Sequence, residues 1–150
     1  MIRAATPADL QQLCKMVHAL AEHHGDTATA TVANLQRDLF GPAPWLHALV
    51  FEDRRRLLGY AALTQLARLQ YGQRGMDLHH LYVCPDERGG GIGKALLAAS
   101  LDYARKKTAS YVTVSTLPGN DFAQAFYLSQ GFTPAPISGL RYAFDLAAKS

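Results

Sequence analysis

Hydrophobic residues recur along the chain with two spacings, one typical of helices and one of strands. Leu10, Leu13, Val17 and Leu20 lie three or four positions apart, which is the spacing of one helix face. This spacing, with Pro and Gly at helix ends, predicts helices over residues 7–23, 31–40, 91–107 and 121–129. Short apolar and β-branched runs predict strands over residues 2–4, 45–52, 57–66, 78–83, 111–116, 132–133 and 141–146.

The order of these elements, β-α-α-β-β-β-α-β-α-β-β, predicts an α/β (α+β) fold. Strands and helices alternate only in part, which favours a mixed sheet with helices on both faces. Neither a linker nor an internal repeat interrupts the 150 residues, so we expect a single domain over residues 1–150.

Composition and charge narrow the class of protein. An apolar fraction of 49% and a charged fraction of 18% are typical of a globular protein. The net charge is +3 and its basic residues are scattered, so we expect no nucleic-acid partner. Two cysteines, Cys14 and Cys84, make no disulfide framework. Neither a signal peptide nor a long apolar span is recognisable, so we expect a cytoplasmic protein that binds no membrane.

Residues 78–97 hold the main candidate for a binding site. They predict a strand, a glycine turn and the start of a helix, with glycines at positions 89, 90, 91 and 93. Glycines leave backbone N–H groups uncovered, and the dipole of a helix favours negative charge at its N-terminus. The stretch therefore predicts a site for a phosphate or pyrophosphate.

Three glycine motifs compete for this stretch. A P-loop is excluded because Arg88 and Ala95 stand where a glycine and a hydroxyl residue are needed. The dinucleotide fingerprint fails because its third glycine is missing in both possible registers. The remaining motif is Arg/Gln-x-x-Gly-x-Gly/Ala, and Arg88-Gly89-Gly90-Gly91-Ile92-Gly93 fits it at every defined position.

A second motif follows at the expected distance. It comprises Asn120, then Ala123, then Phe126-Tyr127, then Gly131-Phe132. With both motifs the chain resembles the GCN5-related N-acetyltransferase (GNAT) family over nearly its whole length. The resemblance implies a mostly antiparallel, twisted sheet and direct acetyl transfer from acetyl-CoA to an amine, without a metal. The segments 20–22 and 38–41 are similar to the branch that acetylates polyamines and small diamines.

The same resemblance implies which residues bind acetyl-CoA. Backbone amides of the glycine stretch would hold the pyrophosphate, and the backbone of the preceding strand would pair with the pantetheine arm. Asn120 would bond that arm from the opposite side. The implied cofactor residues are Leu81, Tyr82, Val83, Arg88, Gly89, Gly90, Gly91, Ile92, Gly93, Lys94, Asn120, Ala123 and Phe126.

Catalytic roles fall on one tyrosine and two histidines. The resemblance implies that Tyr127 is the general acid that protonates the departing CoA thiolate. His79 and His80 stand where polyamine-acetylating relatives carry acids, and either imidazole could take the proton of the amine. Neighbouring strand residues face opposite sides, so we expect that the two cannot share one metal or one proton path. A purely structural role for both remains open.

The acceptor stays undecided between several classes. Because His79 and His80 replace acids, Glu22, Asp26 and Asp77 are the carboxylates that remain near the predicted cleft. Fewer carboxylates attract a polycation less strongly, which favours a smaller amine over a long polyamine. A protein or peptide acceptor is the first alternative. A non-catalytic acyl-CoA sensor is the second, and the presence of Tyr127 argues against it. Cys84 is interpreted as a spectator, and we expect a homodimer.

Overall fold

The computed structural model describes residues 1–136 and 139–147. Nine helices and strands are found there, in the predicted order as far as the fourth helix. They are β1 (Ile2–Ala4), α1 (Leu10–His23), α2 (Val32–Phe40), β2 (His47–Asp53), β3 (Arg56–Arg68), β4 (Gln73–Val83), α3 (Ile92–Lys106), β5 (Tyr111–Thr113) and α4 (Asp121–Ser129). The predicted α/β fold class is confirmed.

The five strands form one sheet in the order β1-β2-β3-β4-β5. The first three pairs are antiparallel, and β5 alone runs parallel to its neighbour β4. The parallel pairing is short, joining Gly75 through Asp77 with Tyr111 through Thr113. Beyond this point β4 continues for six residues to Val83 without β5 beside it.

Helices cover the two faces of this sheet. Tyr60 of β3 is buried in the cluster that packs against α1, together with Leu13 and Met16. Its neighbour Gly59 faces α3, since a Cβ added to Gly59 would lie 3.1 Å from Leu96 Cδ1. Successive residues of a strand point to opposite faces, so α1 and α3 lie on opposite sides of the sheet.

An ion pair joins the first strand to the start of the first helix. The Arg3 guanidinium donates to both carboxylate oxygens of Asp9, at 2.7 and 2.9 Å. Asp9 also accepts from the Thr6 backbone N–H at 2.7 Å. The predicted helix start is confirmed, with Pro7–Asp9 forming a single 3-10 turn before α1.

Two predictions about strands are wrong. β4 begins at Gln73, because the turn lies at Leu69–Tyr71 and the strand pairs with β3 from there on. This extension was not predicted because Gln73 and Arg74 are polar and do not continue the apolar pattern of the strand. The strands predicted over residues 132–133 and 141–146 are absent, since neither segment joins a ladder in the described part of the chain. Pro134 and Pro136 cannot donate to one.

The chain divides into two compact units, residues 1–115 and residues 116–150. The first holds the whole sheet with α1, α2 and α3, and the second holds α4. A single domain over residues 1–150 therefore stays a prediction. Within residues 1–136 and 139–147, no helix is both long enough and apolar enough to span a membrane.

Candidate active site

His79 and His80 lie at a β-bulge in β4. Ala62 of β3 pairs with His80, whereas the next residue, Leu63, pairs with Leu78, so His79 is the extra residue. The two imidazole rings stack with centroids 4.3 Å apart and planes 10° apart. The prediction that they face opposite sides is wrong, because a bulge breaks the alternation of side chains along a strand.

His80 is held by a tyrosine from the neighbouring strand. Its Nδ1 lies 2.9 Å from the hydroxyl of Tyr60, which is only 1% exposed. Burial first, and then the nearby His79 and His24, lower the pKa of His80 to about 4. Burial also raises the pKa of the Tyr60 hydroxyl, so His80 is neutral and Tyr60 is protonated at neutral pH.

A cavity of about 340 Å³ opens beside His80. Its other walls come from the last two turns of α1 and from the loop after it. The lining residues are Val17, Leu20, Ala21, His24, Asp26, Ala28, Thr29, Ala30 and His80. Apolar side chains share this lining with three ionisable ones, His24, Asp26 and His80, which is a typical arrangement for a binding site of a small molecule.

Hydrogen bonds fix the loop that closes this cavity. The Ala30 carbonyl accepts from Nε2 of His18 at 2.8 Å and from the Cys14 thiol at 3.6 Å. Of the three carboxylates expected near the cleft, only Asp26 lines the cavity. Asp77 lies on β4 and accepts from the Thr113 hydroxyl at 2.7 Å. Glu22 is exposed and does not line the cavity.

A second cavity, of about 530 Å³, is lined by α2, by the loop that follows α2 and by β3. Its lining includes Trp45, which is 81% exposed, and Thr64. Its one carboxylate, Asp38, already pairs with Arg37 at 2.8 Å. It contains no histidine, so the cavity beside His80 is the better candidate for chemistry despite its smaller volume.

The glycine stretch forms an open loop at the start of α3. Gly89 and Gly91 both adopt φ of +86°, the left-handed region that favours glycine, and Gly91 is the N-cap. A Cβ added at either position would meet no atom within 4 Å, so the space above the loop is clear. The first turn of α3 carries no acidic residue. These features fit a pyrophosphate held by backbone amides.

The charged side chains around the loop would not repel a bound anion. The carboxylates of Asp86 and Glu87 lie 3.3 and 3.5 Å from the Arg56 guanidinium. Arg88 donates from Nε to the Val83 carbonyl at 2.9 Å, and its guanidinium carbon lies 5.7 Å from the centre of the Tyr82 ring. Arg88 is therefore anchored at the loop, and the nearby acids are paired.

The edge of β4 beyond Asp77 is open for a strand-like ligand. The Cys84 N–H donates to the Leu58 carbonyl on β3 at 2.8 Å. Backbone groups alternate along a strand, so Tyr82 also points toward β3, while Leu81 and Val83 point to the open edge. Of the three residues predicted to pair with pantetheine, Leu81 and Val83 are therefore the ones with suitably directed N–H groups.

The second predicted motif lies in the other compact unit, at α4. Asn120 is the N-cap, and its Oδ1 accepts from the Ala123 N–H at 3.1 Å. Because Oδ1 is used in this bond, the side-chain NH2 group is the part of Asn120 that could donate a hydrogen bond to a ligand. Tyr127 packs edge-to-face with Phe126 and Phe132, and burial raises its pKa to about 12.

Cys84 has the properties of a packed thiol. It is half-buried next to the α1-side core, and its Sγ lies 3.7 Å from the Leu57 carbonyl. Burial raises the pKa of this thiol, which disfavours the nucleophilic thiolate. Among residues 1–136 and 139–147, no three His, Cys, Asp or Glu side chains are arranged to hold a metal ion.

Comparison with known proteins gives the same family as the motifs. Residues 12–132 match the acetyltransferase (GNAT) family. The chain is 28% identical over 141 residues to the thialysine N-epsilon-acetyltransferase of Bos taurus, covering 87% of this chain and 82% of that protein. It is 34% identical over 131 residues to the N-alpha-acetyltransferase RimI of Mycobacterium tuberculosis, covering 87% and 77%. The crystal structure of a probable acetyltransferase shares the fold, with a TM-score of 0.83 at 23% identity over 99% of both chains.

The chain therefore belongs to the GNAT family. It is an acyltransferase, an N-acetyltransferase with acetyl-CoA as the donor. The predicted kinship with the polyamine-acetylating branch stays a prediction, because the relatives act on different amines according to their names.

The sequence predicted Asp26 near the cleft but not Tyr60 or the remaining loop residues Ala28, Thr29 and Ala30. A tyrosine inside the apolar run 57–63 is a signal, since a buried hydroxyl needs a partner. The identity of that partner depends on the bulge, which shifts the register of β4, and no feature of the sequence marks it. The loop contributes mostly small residues, which leave a cavity without a recognisable motif.

Proposed function

We propose that this N-acetyltransferase transfers the acetyl group directly to the primary amine of a small molecule bound in the cavity beside His80. The observation that supports this proposal is the cavity itself, which is lined by two imidazoles, His24 and His80, and one carboxylate, Asp26. An ammonium group is attracted by the carboxylate, and the apolar part of the wall, formed by Val17, Leu20 and three alanines, suits a short carbon chain.

Acetyl-CoA would lie along the edge of β4 and the start of α3. The N–H groups of Leu81 and Val83 would pair with the pantetheine arm, and the amides from Arg88 to Lys94 would bind the pyrophosphate. Asn120, Ala123 and Phe126 would contribute from the second motif. The cofactor supplies an activated thioester carbonyl, and a backbone N–H near Val83 would polarise its oxygen.

The ammonium nitrogen of the acceptor loses two protons, one before it attacks and a second to water as the amide forms, and the sulfur gains one, so the reaction releases one proton overall. The amine must lose one before its nitrogen forms the new N–C bond, and we propose that His79 or His80 accepts it, directly or through water. As the C–S bond breaks, the sulfur gains a proton, which we assign to the Tyr127 hydroxyl. The raised pKa of Tyr127 supports this role, because the hydroxyl stays protonated until the thiolate forms.

A protein N-terminus is the second candidate acceptor. The 34% identity to an N-alpha-acetyltransferase favours it. The limited volume of the cavity, about 340 Å³, favours a free small molecule instead, as does the similarity to an enzyme named for thialysine.

A CoA-release assay over amines, amino acids and N-terminal peptides tests the acceptor class. We expect release above background with small primary amines and intersecting lines when both substrates are varied, as a ternary complex requires. Release with peptides alone would replace the small-molecule assignment by the second candidate. Parallel lines would exclude direct transfer, since they indicate a covalent acetyl-enzyme.

We also propose that the protein is a homodimer. Leu140, Tyr142, Phe144 and Leu146 are each between 81% and 92% exposed, and apolar side chains in such a group are typical of an interface. Light scattering coupled to gel filtration should give twice the monomer mass. The double variant Tyr142→Ser with Phe144→Ser should lower the measured mass toward that of a monomer. A wild-type protein with the monomer mass would contradict the proposal.

A further inference from the structure

Tyr60 links the buried core of the protein to the candidate site. Its ring belongs to the cluster that packs against α1, and its hydroxyl lies 2.9 Å from His80 Nδ1. His80 in turn lines the cavity. A side chain that is 1% exposed therefore makes a hydrogen bond to a side chain at the cavity wall.

Only one direction satisfies this hydrogen bond. If His80 Nδ1 carried the hydrogen, the hydroxyl hydrogen of Tyr60 would need another acceptor. Tyr60 makes no other side-chain hydrogen bond to the described residues, and its burial keeps water away. Buried hydroxyl groups are rarely left without a partner. The Tyr60 O–H therefore donates, and Nδ1 accepts.

We infer that Tyr60 is a positioning residue that holds His80 in the neutral tautomer with its hydrogen on Nε2. This inference rests on the proposed function for the role of the cavity. Nε2 then presents an N–H donor on the far side of the ring from Tyr60. His80 offers a hydrogen to an oxygen atom of the bound acceptor or of the acetyl group, and it does not remove the amine proton.

The surroundings of His80 favour the same neutral form. A protonated His80 would carry hydrogens on both nitrogens, which would leave the Tyr60 hydroxyl without an acceptor. The ionisable groups around it are Tyr60, Tyr82 and His79 on the strands, and His24 and Asp26 at the cavity. The lowered pKa of His80 agrees with this arrangement.

The amine proton must therefore go elsewhere. His79 is exposed, and its ring stacks on His80 at 4.3 Å. It is the other imidazole at the bulge and is not among the residues that line the cavity, so the amine proton passes to His79 through water. The two histidines then have different roles, one as a donor fixed by Tyr60 and the other as a base.

Nitrogen NMR of the histidine side chains tests the tautomer directly. In the ¹⁵N-labelled full chain at neutral pH, we expect His80 Nε2 to show the shift of a protonated nitrogen and Nδ1 that of an unprotonated one. Tyr60→Phe should abolish this preference and raise the titration midpoint of His80. Tyr82→Phe is the matched control, because Tyr82 packs in the same cluster without bonding His80, and it should leave the His80 signals unchanged.

Three results would overturn the inference. They are a hydrogen on Nδ1 in the wild-type protein, a His80 spectrum that Tyr60→Phe does not alter, and an equal response to Tyr82→Phe. The wild-type spectrum decides the tautomer even if Tyr60→Phe does not fold. The NMR spectrum does not depend on enzymatic activity. If no amine causes CoA release, the proposed function fails, and the tautomer of His80 is still measured independently.

Kinetics separate the two histidines. His80→Gln keeps a side-chain N–H, so it should lower kcat/KM by less than about tenfold. The acidic limb of the pH profile of kcat/KM should be retained in His80→Gln and lost in His79→Gln. Loss of the limb in His80→Gln, with the limb retained in His79→Gln, would contradict the assignment.

Discussion

The imidazole rings of His79 and His80 lie face to face, with centroids 4.3 Å apart. Side chains of successive strand residues cannot make this contact without an irregularity, and here the irregularity is the extra residue opposite Ala62 and Leu63. The bulge therefore places the two rings together, and His80 of the two lines the cavity. After burial, the nearby His79 is the next cause that lowers the pKa of His80.

Stability should depend on pH through His80. Its pKa of about 4 in the folded state, lowered mainly by burial, lies below the unfolded value of about 6.5. Between these two pKa values His80 is protonated in the unfolded chain and neutral in the folded chain. The free energy of unfolding should therefore fall by roughly 2–3 kcal/mol as the pH drops from about 6.5 to about 4. Urea unfolding at several pH values measures this slope. His80→Gln should flatten it, and an unchanged slope in that variant would contradict the account.

Removing the hydroxyl of Tyr127 should slow catalysis. As a general acid it is expected to contribute at least about 100-fold, so Tyr127→Phe should lower kcat by that order. Because burial raises the pKa of Tyr127 to about 12, its hydroxyl should cause no basic limb in the wild-type profile. Tyr71→Phe is the matched control, since Tyr71 is 69% exposed at the tip between β3 and β4. Equal rates for both variants would remove the assigned role.

Gly91 should be needed for cofactor binding as well as for backbone geometry. Gly91→Ala places a Cβ in the clear space above the loop and forces alanine into a left-handed conformation, at about 1 kcal/mol. Gly72→Ala imposes the same conformation at a site equally open but remote from the loop, with φ of +60°. We expect similar losses of stability, with a raised KM for acetyl-CoA in Gly91→Ala alone. A similar KM in both variants would show that the loop does not bind the pyrophosphate.

Much of this protein could be predicted from its sequence because the relevant signals are local. Gly89 and Gly91 adopt a left-handed backbone conformation that favours glycine, and Thr6 with Pro7 marks a helix start. Such signals depend on a few adjacent residues. They predicted the fold class, the order of elements as far as α4 and the place of the open loop.

The rest depends on contacts between distant residues. The alternation rule gave the wrong orientation for His79 and His80, because the bulge arises from pairing with β3. Tyr60 and His80 are twenty positions apart, and only the register of the strands brings them together. The alternating apolar residues over 141–146 suggested a strand, but a strand also needs a partner.

We propose that the acceptor amine binds in the cavity beside His80, and a variant that fills this cavity tests the proposal. Ala28 lines this cavity, whereas Ala33 is exposed on α2. Steady-state kinetics of Ala28→Phe should show a KM for the amine raised by about tenfold or more, equivalent to about 1.4 kcal/mol, and an unchanged KM for acetyl-CoA. Ala33→Phe should match the wild type. An unchanged KM for the amine in Ala28→Phe would contradict the account.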